Sequence, residues 1–191
     1  MARTPSKEAH AKVLKAVLEL VGERGVEGTS MDAIAAAAGV SKATVYKHWE
    51  NKKALLVDAI RVQVEKSPTF GSGNVRKDLT DFLTYLAQKT KSQEPAGIWP
   101  KIISYAASNS DFGKALQEIL FAPRRERLME MLTVGAAAGE LVPNIDPDLA
   151  LDLLVGPVMH HRFVNNNKVP PELPEQVVAA FFRAFAPAIP E

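Results

Sequence analysis

Apolar residues along this chain recur at steps of three and four, and no stretch alternates convincingly between apolar and polar. That period confines the fold to helices, because a half-buried strand needs alternation. Ala9, Val13, Ala16, Val17, Leu20 and Val21 form one stripe, which predicts a helix from about Ser6 to Arg24 that stops at Gly25. Thr29 and Ser30 open a second, with Asp32 three residues after Thr29 as a shortened capping box and Gly39 as its left-handed stop. Ser41 caps a third through Lys42 to His48, and Asn51 a fourth from Lys52 to about Lys66. Further helices are expected at about Val75 to Lys91, Ile98 to Ala107, Asp111 to Ala138, Pro147 to Asn165 and Leu173 to Ala186. Pro123 should kink or divide the longest of these. The fold class is therefore all-α, without an internal repeat.

The segment Ser67 to Asn74 combines Pro, two Gly and four polar residues, and divides the chain into residues 1–66 and 67–191. Net charge is +1, but it is unevenly spread: residues 1–66 carry 11 Lys+Arg against 8 Asp+Glu, and the remainder 12 against 14. No run approaches the ~18 apolar residues of a membrane span, and the first ten residues lack the apolar region of an export signal, so a cytoplasmic protein is expected. The absence of cysteine excludes disulfides, thiolate nucleophiles and Cys-ligated metals.

Two short helices meeting across Gly39-Val40-Ser41 form a helix-turn-helix, spanning about residues 30–49, whose second member is sized for the ~12 Å major groove. Between Val40 and Lys53 four lysines stand against one acid, Glu50. The candidate DNA-binding residues are Thr29, Ser30, Ser41, Lys42, Ala43, Thr44, Tyr46, Lys47, His48 and Lys52, since hydroxyls and amines both hold phosphate and base edges. Trp49 reads instead as an apolar plug of the small domain.

The run TSMDAIAAAAGVSKATVYKHWENKKALL resembles the DNA-binding domain of the tetracycline-repressor (TetR) family, over about Lys7 to Ile60. Ala43 stands where that family often has Gly, and Trp49 where it often has Phe. RRERLMEML, AAAGEL and DPDLALDLLVGPVMHHRFV are similar to the regulatory domain of one large subgroup. The resemblance implies a dimeric, ligand-responsive transcriptional regulator, usually a repressor, acting on double-stranded DNA.

Beyond residue 67 the apolar pattern has two uses. The helix from Pro147 has two apolar stripes, and the last helix has a broad one, so both are expected to pair with their copies in a homodimer through Leu149, Leu153, Pro157, His160, Val178, Phe181, Phe182 and Phe185. Phe82, Tyr85, Trp99, Tyr105 and Met129 are candidates to line a pocket for a small, largely apolar effector, with ordinary core packing as the alternative. His160 and His161 are adjacent and diverge by ~100° on a helix, so no metal site is expected. Gly71 and Gly73 lack the Gly-Lys-Ser/Thr of a phosphate loop, and no nucleophile and base are paired. The reading is a DNA-binding regulator without cofactor or catalysis; the alternative is an all-α small-molecule binding protein whose helix-turn-helix is only structural.

Overall fold

The computed structural model describes residues 4–65, 68–88, 97–165 and 168–187. Among the described residues the order is α1 (Thr4–Arg24), α2 (Met31–Ala38), α3 (Lys42–Tyr46), α4 (Lys52–Glu65), α5 (Val75–Gln88), α6 (Ile98–Ser108), α7 (Ser110–Leu116), a π turn (Gln117–Phe121), α8 (Ala122–Ala137), α9 (Pro147–Phe163) and α10 (Leu173–Phe185), with no strand. None of these helices is long and apolar enough to cross a membrane. The end of the helix expected to reach Lys91 lies outside the described residues. Pro123 does divide its helix: it sits at the second position of α8, directly after the π turn, where its missing N–H breaks the ladder.

The helices sort into two compact units, and the division differs from a single cut at residue 66. The first unit holds α1 to α4 together with α6, α7 and the π turn. Ile98, Ile102, Phe112, Leu116 and Leu120 share one apolar core with Val17, Val21, Leu55, Leu56 and Ile60. Burying five such side chains contributes on the order of 10 kcal/mol, and local periodicity cannot say which partner collects it. Lys101 of α6 adds a polar tie, donating to the carbonyl oxygens of Gly22 and Glu23 (3.0 Å to the latter) at the open end of α1.

The second unit holds α5, α8, α9 and α10. Its entry is organised by Asp78, a buried carboxylate that accepts from the Ser72 amide at 2.9 and 3.0 Å. Burial opposes its charge, yet the amides of Ser72, Gly71 and Gly73 and the Ser72 hydroxyl hold its carboxyl below the usual range. The glycines have a local reason, since Gly71 and Gly73 both take positive φ (143° and 87°) to aim their amides inward. Arg76 lies over the Phe182 ring, 4.0 Å from its centroid.

The expected dimer residues separate in this unit. On α9, Ala150, Leu154 and Val158 turn inward, while Leu149 and Leu153 are 49 % and 45 % exposed. Pro157 is half-buried, and His160 is exposed beside Gly156. On α10 the expectation fails: Val178, Phe181 and Phe182 are buried within their own protomer, and Phe185 is half-buried. The stripe marks an apolar side of the helix, and that side is consumed by α5 and α9 of the same chain. Gln176, Ala180 and Ala184 face outward instead.

Candidate nucleic-acid interface

The turn between α2 and α3 is built by caps. Ser30 accepts from the Ala33 amide (3.2 Å) at the start of α2, and Gly39 closes that helix with φ 65°, ψ 33°. Ser41 then starts α3, its Oγ accepting from the Thr44 amide at 3.1 Å and lying 2.8 Å from the Thr44 hydroxyl. Lys42 donates to Asp32 at 2.6 Å, an exposed pair that bridges α2 to α3. Such a pair contributes about 0–1 kcal/mol and leaves the ammonium accessible.

α3 buries a single side chain, Val45. Lys42, Ala43, Tyr46, Lys47 and His48 are exposed, Tyr46 by 53 %, and Thr44 is half-buried. The helix ends at Tyr46, two residues before the expected His48, because the amides of His48 and Trp49 both turn back to the Val45 carbonyl (3.0 Å each) to deliver Trp49 inward. Seven of the ten candidate DNA-binding residues, Ser41 to Thr44 and Tyr46 to His48, therefore form one outward surface, with Ser30 exposed at the start of α2.

Two candidates do something else. Thr29 is 2 % exposed, and its hydroxyl donates to the Gly25 carbonyl at 2.8 Å, so it closes the turn after α1 and cannot reach a partner. Ser30, one residue on, is the cap. Lys52 bends back to the carbonyls of Val26 (2.5 Å) and Glu27 (3.4 Å), and burial pushes its ammonium pKa down, with Glu27 pulling the other way. In this structure its ammonium ties the start of α4 to the loop after α1.

Behind this surface lies a network absent from the sequence reading. Trp49 is buried as expected, and its indole N–H donates to Asp58 of α4 at 3.0 Å. His10 of α1 stacks on Trp49 (centroids 4.7 Å apart) and points Nε2 at the same carboxylate oxygen, 3.5 Å away. His48 closes the group edge-on, 5.9 Å from His10. One signal was available: a buried indole needs an acceptor, and Asp58 is the nearer of the two acids on the helix that follows. An open cleft of about 470 Å³ adjoins the group, lined by His10, Val13, Ser41, Thr44, Lys47 and His48 among others. Among the described residues no group of three metal-binding side chains occurs.

The five pocket candidates do not converge on one core. Phe82 and Tyr85 belong to the second unit, where Phe70 packs on both (5.6 and 6.2 Å between ring centroids), and Met129 of α8 is half-buried there. Trp99 and Tyr105 belong to the first unit, Tyr105 packing on Phe112 at 5.2 Å.

A short capped helix that buries one residue and turns basic and hydroxyl side chains outward defines a helix-turn-helix protein of the DNA-reading class. The family comparisons agree. Residues 13–59 match the model of bacterial regulatory proteins of the tetR family, and residues 71–181 that of the tetracyclin repressor-like C-terminal domain. The chain belongs to the TetR family of transcriptional regulators. Among its relatives are the uncharacterized HTH-type transcriptional regulator YdeS of Bacillus subtilis, 29 % identical over 87 % of this chain and 84 % of that protein. Another is the HTH-type transcriptional regulator AqdR of Rhodococcus erythropolis, 30 % identical over 88 % and 81 %. The crystal structure of the TetR family transcription regulator SCO0332 superposes with a TM-score of 0.67 at 30 % identity, covering 94 % of this chain and all of that one.

Proposed function

We propose that this regulator acts as a homodimeric repressor that occupies a palindromic operator and leaves it when a small, largely apolar effector binds. The observation that carries the reading is the outward surface of α3, where only Val45 is spent on the core. In this reading Lys42 and Lys47 supply charge for phosphates, while the outward Ala43, Thr44 and Tyr46 meet base edges and backbone. A merely structural helix-turn-helix has no use for that composition.

A two-fold dimer presents two such helices to two half-sites about one helical turn apart. The exposed row Leu149, Leu153, His160, Phe163 and Val164 on α9, with the small side chains Ala180 and Ala184 of α10, supports pairing with a second copy. Residues 1–66 carry the DNA contact in this reading, and the segment after 67 carries dimerisation and effector binding. Phe82, Tyr85 and Met129 of the second unit are the favoured effector contacts. The protein works by binding and not by catalysis, in the cytoplasm.

The test is selection of binding sites from a random duplex library. A palindrome is expected; enrichment of nothing, or of sites without two-fold symmetry, overturns the reading. For the effector, a compound at a hundred times its Kd adds about 2.7 kcal/mol of stability and should weaken duplex binding about 5- to 150-fold. Stabilising compounds that leave duplex binding unchanged would remove the effector from the proposal.

A further inference from the structure

The cleft between α1 and α3 holds more donors than the fold uses. Lys47 lines it and pairs with no carboxylate among the described residues; Asp58 lies off the cleft, engaged by the Trp49 indole and by His10. Ser41 and Thr44 share one hydrogen bond between two hydroxyls, which leaves one O–H proton over. The His10 ring is held by three neighbours: the Trp49 face, the His48 edge and Asp58 opposite Nε2. Its Nδ1 is the nitrogen not turned to Asp58.

We propose that this cleft seats one phosphate of the bound duplex, gripped by Lys47, His10 and His48, so that duplex affinity rises as pH falls through the imidazole range. The proposal rests on the reading that α3 faces DNA, and adds a residue of α1 and a pH dependence to it. A neutral imidazole donates from one nitrogen only, so His10 can serve Asp58 or a phosphate oxygen. The protonated ring donates from both, Nε2 to Asp58 and Nδ1 to the phosphate, and adds a charge that displaces a counterion. The titratable groups against this ring are Asp58 from α4 and His48 just after α3, and Lys47 lines the same cleft. Lys7 lies one turn before it on α1, and Arg61 one turn after Asp58 on α4.

The experiment is salt titration of binding to a mixed-sequence duplex at about pH 8 and about pH 6, where imidazole is the side chain that changes charge. For the unaltered chain the slope of log K against log[NaCl] should steepen toward pH 6 by up to about 0.9 per subunit. His10→Gln, with the thermal melt as its folding control, should steepen less toward pH 6 than the unaltered chain, the remainder being the share of His48. Lys47→Ala should lower the slope equally at both. His48→Gln, which leaves the bond from Trp49 to Asp58 in place, should likewise steepen less than the unaltered chain, and it carries the test if His10→Gln fails to fold. A His10→Gln protein with the same pH-dependent slope as the unaltered chain, or an unaltered chain with one slope throughout, overturns the phosphate site while leaving the DNA reading intact. Failure of the unaltered chain to bind duplex at any pH or salt overturns both.

Discussion

α3 and α9 each leave one side uncovered, and the two sides differ in kind. The outer side of α3 carries lysine, tyrosine, histidine and hydroxyls around a single buried valine. The outer side of α9 carries Leu149, Leu153, Phe163 and Val164 over a fully packed inner row. Solvent tolerates the first surface and resists the second. In the function proposed above, the charged, donor-rich face meets a polyanion and the apolar one a copy of itself.

The largest effect should come from α9. Leu153→Glu places a charge in the proposed dimer face and should give a folded monomer by light scattering. Loss of the second half-site then costs about 10²- to 10⁴-fold in affinity for a two-site duplex. Phe181→Glu, at a position buried within the protomer, should instead give insoluble or unfolded protein, since an unpaired buried charge costs about 3–5 kcal/mol. A Leu153→Glu protein that stays dimeric would break the comparison at its apolar end.

Asp78→Asn should be next. The asparagine cannot accept as its carboxylate parent does from the loop amides, and about 1–3 kcal/mol should be lost at neutral pH, a fall of several degrees in Tm at ~2–4 °C per kcal/mol. Because the Asp78 carboxyl is held below the usual range, its contribution is complete above the unfolded carboxyl pKa of about 3.9. It is lost as pH falls through the folded value, so melts of the two proteins should converge below about pH 4.

The polar end sharpens through two lysines of one charge and different commitments. Lys47→Ala should weaken binding to all duplexes and reduce the salt slope by about 0.9 per subunit, with the melt unchanged. Lys52→Ala, which loses the bonds to the Val26 and Glu27 carbonyls, should cost about 0.5–1.5 kcal/mol of stability and leave the slope alone. Equal effects of the two on the slope would show that Lys52 also reaches phosphate.

The contrast bears on what the sequence could disclose. Helix positions, the Ser41 and Asn51 caps, the Gly39 stop and the burial of Trp49 depend on neighbours within a few residues, and they were legible. The residues on α3 followed from the same local register. What was missed depends on contacts distant in sequence. Lys52 looked free because the carbonyls it meets are 25 and 26 residues away. Thr29 and Ser30 were indistinguishable as cap candidates until the chain's turn buried one of them. The α10 stripe is apolar as its period says and is covered by α5 and α9 of the same chain, which a period alone does not record.

The membership of α6 and α7 in the first core has a consequence for synthesis. Val17, Leu55 and Ile60 are translated long before Phe112, Leu116 and Leu120, the residues that complete their packing. At ~5–20 residues per second, the wait between the end of α4 and the end of the π turn is roughly 3–11 s. During it, α5 has already left the ribosome with Leu79, Phe82 and Leu83, whose own partners on α9 and α10 come still later. The nascent chain thus carries two unfinished apolar surfaces at once, each closed only by residues encoded later in the gene.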